Sequence, residues 1–196
     1  MQSKTSANTR QRILETGARL IHKKGFNHTG IKEILDACDV PKGSFYFYFK
    51  SKEEFGLAVI DFHFEQFGAI SRTIFDELTM PPIARLRAYF ETFLEGIKAH
   101  QCEMGCPLGN LVLEMSDLSP AMREKLQSGF TSMEHRLTHI IQQAIDRGDI
   151  TRAIDPNQTA QWLMSGWQGA VLYTKLTRST APIEAFFDLM FKEILV

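Results

Sequence analysis

Cysteine is scarce in this chain of 196 residues: there are three, at positions 38, 102 and 106. An odd number so placed excludes a disulfide framework, and all three read as free thiols. Nowhere do eighteen apolar residues run together, so no segment is a candidate for a membrane-spanning helix. The opening MQSKTSANTRQR contains no apolar stretch of the secretory kind, which makes the cytosol the expected compartment. With 13 glycines and 7 prolines, the chain is too poor in both for a collagenous or low-complexity protein, and it contains no glycine-rich phosphate loop. Hydrophobic residues make up 44% and charged residues 23%, an ordinary globular balance with enough apolar material for one or two cored domains.

An excess of one charge is also lacking, since the formal net charge is −1. That near-neutrality is the sum of two unequal parts. Residues 1–52 carry ten Lys/Arg against four Asp/Glu, a net +6, whereas the rest carries twelve against nineteen, a net −7. Such a split suits a small head that meets a polyanion joined to a larger body that does not; taken alone, it suits a solvated basic surface equally well.

Helical periodicity runs almost the length of the chain. Ile13, Leu14, Ala18, Leu20 and Ile21 mark a first helix, with Asn8 or Thr9 as its expected N-cap and Gly25 as its stop. A second, short helix carries Ile31, Ile34 and Leu35 and is expected to gain support at its start from Glu33, three residues after Gly30. A third runs from about Pro41 to Tyr48, proline suiting a first turn where its missing N–H has no partner. The aromatic run Phe45–Phe49 would favour a strand on propensity, but no second strand-like run exists to pair with it. As a helix it turns Phe45 and Phe49 inward and leaves Tyr46, Phe47 and Tyr48 on the open sides. Ser51 caps a long helix striped by Phe55, Val59, Phe62, Phe67, Ile70, Ile74 and Leu78, ended by Met80-Pro81-Pro82. Helices follow from Ile83 to Ile97, from Pro107 to Met115 and from Pro120 to Gly148. A nearly all-round apolar helix spans 155–175, and a broad-striped one spans 182–195. These last two have too few partners within the chain, which implies a second copy packed against them in a two-fold dimer. The fold class is all-α: a three-helix head over residues 1–52 and a body of about six helices over residues 53–196.

Two short helices across a tight turn, braced by a first helix inside a basic segment, are the parts of a helix-turn-helix that enters the major groove. Gly43 lets backbone approach a duplex, Lys42 and Ser44 offer donors, Tyr46 and Tyr48 carry hydroxyls toward phosphates, and Lys52 lies in the first turn of the long helix. Gly25-Phe26, Thr29-Gly30-Ile31, Glu33-Ile34 and Val40 through Glu53 closely resemble the DNA-binding domain of TetR-family transcriptional regulators. The resemblance covers about a quarter of the chain. It implies a homodimeric regulator, usually a repressor, that holds a palindromic operator on double-stranded DNA and releases it when a small molecule enters the C-terminal body. It also implies that Lys32, Gly43, Ser44 and Phe47 face bases while Thr29, Lys42, Tyr46, Tyr48 and Lys52 face phosphates. Three positions depart from the family pattern. Asp39 stands where a turn glycine is common, and Asp tolerates the left-handed backbone better than most residues. Pro41 stands where serine is common. Phe47 replaces a frequent histidine, so its contact with a base would be apolar, as with a thymine methyl.

The segment Cys102 to Asn110 is similar to that of a subgroup containing electrophile-sensing and acrylate-responsive repressors. Cys106 precedes a helix start, where aligned N–H groups favour a thiolate, so it is either a sensing thiol or a small core filler. With Cys102, Phe93, Met115 and Trp167 it forms the set of candidate sensor and ligand-lining residues. His135 and His139 share a helix face, but no third ligand completes a metal site, and none is expected. A nucleophilic pair of Cys106 with His100 is the rival enzymatic reading; it lacks an orienting third residue and an oxyanion loop. An interaction module that no longer reads DNA is the other rival. No catalytic residue and no cofactor is expected.

Overall fold

The computed structural model describes residues 2–196, except for the side chains of residues 2–6 and of Lys42. Among the described residues there is no strand. The elements are α1 (Gln2–Lys24), α2 (Ile31–Ala37), α3 (Phe45–Tyr48, entered through a 3-10 turn at Lys42–Ser44), α4 (Lys52–Phe75), α5 (Pro82–Ala99), α6 (Pro107–Met115), α7 (Pro120–Arg147), α8 (Pro156–Thr177) and α9 (Ala181–Leu189, continued by a π-helical turn at Met190–Ile194). The expected all-α architecture is the one observed. The chain divides into two compact units, residues 1–65 with 107–127 and residues 66–106 with 128–196.

In the first unit, helix ends follow local chemistry, with two departures from the sequence expectation. Helix α1 starts at Gln2 rather than near Asn8 or Thr9, because the polar lead contains no proline or glycine to stop a helix extending backward from its apolar face. It ends where Gly25 takes φ +90° and its N–H reaches the Ile21 carbonyl at 2.7 Å. Glu33 does not support the start of α2; it pairs with Lys24 from the last turn of α1, a charged partner that outcompetes a neutral backbone N–H. At α4, Ser51 Oγ accepts from Glu54 N at 3.0 Å while the Glu54 carboxylate accepts from Lys50 N at 3.0 Å, so each end satisfies the other. Ile13 of α1 and Ile34 of α2 are fully buried, as are the rings of Phe45, Phe49 and Phe55, whose centroids lie 4.9–5.5 Å apart. Each buried ring contributes about 1.5–3 kcal/mol through water exclusion. This core sets the orientation of α3.

The second unit is built on Leu86, Phe90, Leu137, Ile141, Leu163 and Ile183. Trp167 lies 5.1 Å from Phe90 and 5.9 Å from Phe186, centroid to centroid. Leu78, read from the sequence as the end of the α4 stripe, lies beyond the helix in the turn to α5 and is 77% exposed; the helix stops at Phe75, so its periodicity no longer governs position 78. Helix α8 is buried along Leu163, Trp167 and Val171, yet Trp162, Leu172, Tyr173 and Leu176 on its other side are exposed, as is Leu189 of α9.

Candidate functional site

The turn between α2 and α3 is built around Asp39, whose φ of 51° lies in the left-handed region. Arg12 of α1 secures it by donating to the carbonyls of Cys38 and Asp39, at 2.5 and 3.4 Å. Beyond the turn, α3 and Phe49, the extended residue that ends it, separate their side chains sharply. Phe45 and Phe49 are buried, whereas Tyr46 is 64% and Phe47 78% exposed, with Phe47 edge-on to half-buried Tyr48 at 5.0 Å. Gly43 is exposed and Ser44 half-buried. No Cβ contact lies within 4 Å at Gly43, so its place on the surface is open. Lys32 is exposed on α2, 3.8 Å from Asp36 in an ion pair that solvent screens. The side chain of Lys42 lies outside the described residues.

Lys52 is half-buried at the start of α4. Its ammonium sits 4.7 Å above the centre of the Phe26 ring and 3.5 Å from the Asn27 carbonyl. Burial pushes its pKa below the ordinary lysine value, while the charge of Glu114 opposes that shift. Thr29 is the exception within the set: it is fully buried and its hydroxyl donates to the Gly25 carbonyl at 2.7 Å. Its side chain locks the turn into α2 and presents nothing outward.

Sequence reasoning missed three residues here. Arg12 holds the turn, and Arg10 stacks its guanidinium 4.9 Å from the centre of Phe49; neither carries a sequence signal beyond belonging to a basic helix. Glu114, at the end of α6, accepts from the N–H groups of Phe26 and Asn27, both at 2.7 Å. It had one legible signal, since a carboxylate in a helix's last turn is opposed by the macrodipole and needs donors from elsewhere.

The sensor candidates are distributed over both units. Cys106 stands immediately before α6, half-buried, with Gln168 Nε2 donating to its sulfur at 3.6 Å. On α5, the phenol of Tyr89 is pushed far above its ordinary pKa, chiefly by burial and secondarily by Cys106, against the cation of Arg136. Arg136 itself donates to Ser71 Oγ at 2.9 Å. Phe93 packs on Tyr89 and Phe67 at 5.0 and 4.9 Å. Cys106, Phe93 and Trp167 thus belong to one packed body, but Met115 does not: it is buried in the first unit, where Asn27 Nδ2 donates to its sulfur at 3.6 Å. Cys102 is buried in the turn after α5 with φ 59°, its N–H on the Ile97 carbonyl at 3.0 Å, a helix-ending arrangement that accounts for its position structurally. Of the rival constellations, His100 pairs its ring with the Gly96 carbonyl at 2.9 Å and His139 with Gln143 at 3.0 Å. Among the described residues no group of three His, Cys, Asp or Glu side chains is placed to hold a metal ion, and no helix is long and apolar enough to cross a membrane.

Comparison with known proteins places this geometry. Residues 13–59 match the family described as "Bacterial regulatory proteins, tetR family", and residues 82–190 match "Tetracyclin repressor-like, C-terminal domain". The chain is 33% identical over 189 residues to the HTH-type transcriptional repressor DhaR of Mycobacterium sp. (strain GP1), covering 95% of this chain and 92% of that one. It is 34% identical over 176 residues to the transcriptional regulator AcuR of Cereibacter sphaeroides, covering 90% and 80%. The crystal structure of E. coli NemR in its reduced form superposes with a TM-score of 0.85 at 33% identity, covering 91% of this chain and 92% of that one. The chain belongs to the TetR family of helix-turn-helix transcriptional regulators, proteins that bind DNA and small-molecule effectors, act as dimers and are not enzymes.

Proposed function

We propose that this chain is a cytoplasmic homodimeric repressor that holds a palindromic operator and releases it when its C-terminal body is occupied or its Cys106 is modified. The observation that carries the reading is the division of α3: two phenylalanines anchor it, while Phe47 and Tyr46 stand in solvent beside exposed Gly43. Leaving a phenylalanine in water forgoes about 1.5–3 kcal/mol of burial, and a base edge supplies the missing cover. In this reading Lys32, Gly43, Ser44 and Phe47 face bases, and Lys42, Tyr46, Tyr48 and Lys52 face phosphates. Thr29, with its hydroxyl committed to Gly25, positions α2. Phosphate contacts supply salt-dependent affinity, and groove contacts supply about 4–10 kcal/mol of preference over random DNA.

The partner copy packs on the exposed apolar side of α8 and α9, where Trp162, Leu172, Tyr173 and Leu176 of α8 and Leu189 of α9 stand in solvent, and clustered exposed apolar side chains of this kind mark a surface that another protein covers. The effector lies against Tyr89, Phe93 and Trp167, with Cys106 as the atom an electrophile reaches. The half-buried thiol at a helix start supports this, as does a relative solved in a form described as reduced. The test is a gel shift with DNA from upstream of the protein's own gene, with and without an electrophile such as N-ethylmaleimide. A sequence-specific complex that dissolves on treatment, and that survives treatment in Cys106→Ser, is expected. No specific complex at moderate salt overturns the repressor reading, and release that persists in Cys106→Ser overturns the thiol part alone.

A further inference from the structure

Glu114 is charged, belongs to the last turn of α6 and is opposed there by the helix dipole, so its position needs an explanation that α6 does not supply. The structure supplies it from 87 and 88 residues away. Glu114 Oε2 accepts from Phe26 N and Oε1 from Asn27 N, each at 2.7 Å, a carboxylate astride two consecutive backbone donors. The fit is close: a Cβ at Gly25 would lie 3.0 Å from Oε2, on a backbone already at φ +90°. The other side of those two residues carries Lys52. Its ammonium rests over the Phe26 ring and on the Asn27 carbonyl, and Asn27 is held further by its side-chain contact to Met115. Two more ties join the segment to α4 within the same unit, Ser119 to Glu53 and Lys125 to Asp61, each at 2.6 Å.

We propose that Glu114 is a positioning residue for DNA binding: its carboxylate fixes the Phe26–Asn27 backbone as a platform that holds the Lys52 ammonium in place for a DNA phosphate. The proposal rests on the DNA-binding reading above and adds to it a residue outside the helix-turn-helix. Glu114 acts at two levels. It orders the turn by satisfying two N–H groups, and its charge opposes the lowering of the Lys52 pKa by burial. Lys52 is the start of α4, where N–H groups already favour an anion; a cation held there in advance loses little freedom on binding.

The experiment uses the full-length chain as wild type, Glu114→Gln, Lys52→Ala and the double variant. Affinity for a fluorescein-labelled duplex from the upstream region is read by anisotropy, and the Lys52 pKa by NMR of 13Cε-labelled lysine. Glu114→Gln keeps the shape but loses the charge and one acceptor, so it should weaken binding roughly five- to tenfold and lower the Lys52 pKa. In the Lys52→Ala background the same change should cost less than about twofold, since both substitutions act through one contact. Wild-type affinity in a folded Glu114→Gln protein overturns the proposal, and so do multiplicative effects in the double variant. If Glu114→Gln does not fold, Glu114→Asp decides, because its shorter stem keeps the charge but cannot span both donors; binding equal to wild type again overturns the clamp. A wild-type chain that forms no specific complex sinks the DNA reading itself; the clamp then stands or falls on the Lys52 titration, an unchanged pKa in Glu114→Gln overturning it.

Discussion

His63 makes the stability of the first unit depend on pH in a way that can be worked out in advance. It is 7% exposed on α4, 6.3 Å from the ring of His22 on α1. Burial, and then the neighbouring His22, lower its pKa from 6.5 to about 4. The folded chain therefore keeps His63 neutral over a range in which the unfolded chain takes up a proton. The contribution is complete above about pH 6.5, declines as pH falls through the window, and is lost below about pH 4. At 1.36 kcal/mol per unit, the shift is worth about 3 kcal/mol. Urea unfolding followed by far-ultraviolet circular dichroism, at one protein concentration, should be run near pH 7.5 and near pH 4.5 on wild type and His63→Gln. Carboxylates titrate in both proteins and cancel in the difference. The stability of wild type relative to the variant should fall by about 2–3 kcal/mol between the two pH values. A difference that does not change with pH refutes the reasoning, because it would mean that His63 binds its proton equally well folded and unfolded.

Three further outcomes follow from particular contacts. Asp39→Gly relieves a left-handed φ of 51° while keeping both carbonyls that Arg12 holds, so it should stabilise the fold by about 0.5–1 kcal/mol and raise the Tm by a few degrees; a lower Tm would show that the Asp39 side chain contributes something its backbone does not. Gly56→Ala places a Cβ 2.1 Å from Met122 Cε and 2.7 Å from Phe26 Cε2. Overpacking of about 1–3 kcal/mol exceeds the gain of about 1 kcal/mol in helix propensity, and denaturant titration should show a net loss. Leu172→Glu with Leu176→Glu sets charge on positions 50% and 74% exposed in the single chain; sedimentation should show a monomer with normal helicity and lost operator binding, whereas a persisting dimer would place the two-fold interface elsewhere.

Much of this molecule was legible from residue order, because the relevant physics is local. A period near 3.6, proline or serine at helix starts and glycine at a stop predicted α3 through α9 close to where they lie, and the spacing of Phe45 and Phe49 alone told which side of α3 is anchored. Charge counted along the chain marked the basic head, since composition needs no geometry. What required the folded chain was every contact whose partners are distant in sequence. Glu33 turned to Lys24 instead of its own helix start, Thr29 turned inward to Gly25, and Met115 joined the first unit rather than the body that contains Phe93 and Trp167. Residues 107–127 pack with residues 1–65 through Glu114, Ser119 and Lys125. A hydrogen bond or ion pair is decided by which donors and acceptors packing brings within about 3 Å, and periodicity specifies the face a side chain occupies but not the neighbour it meets there.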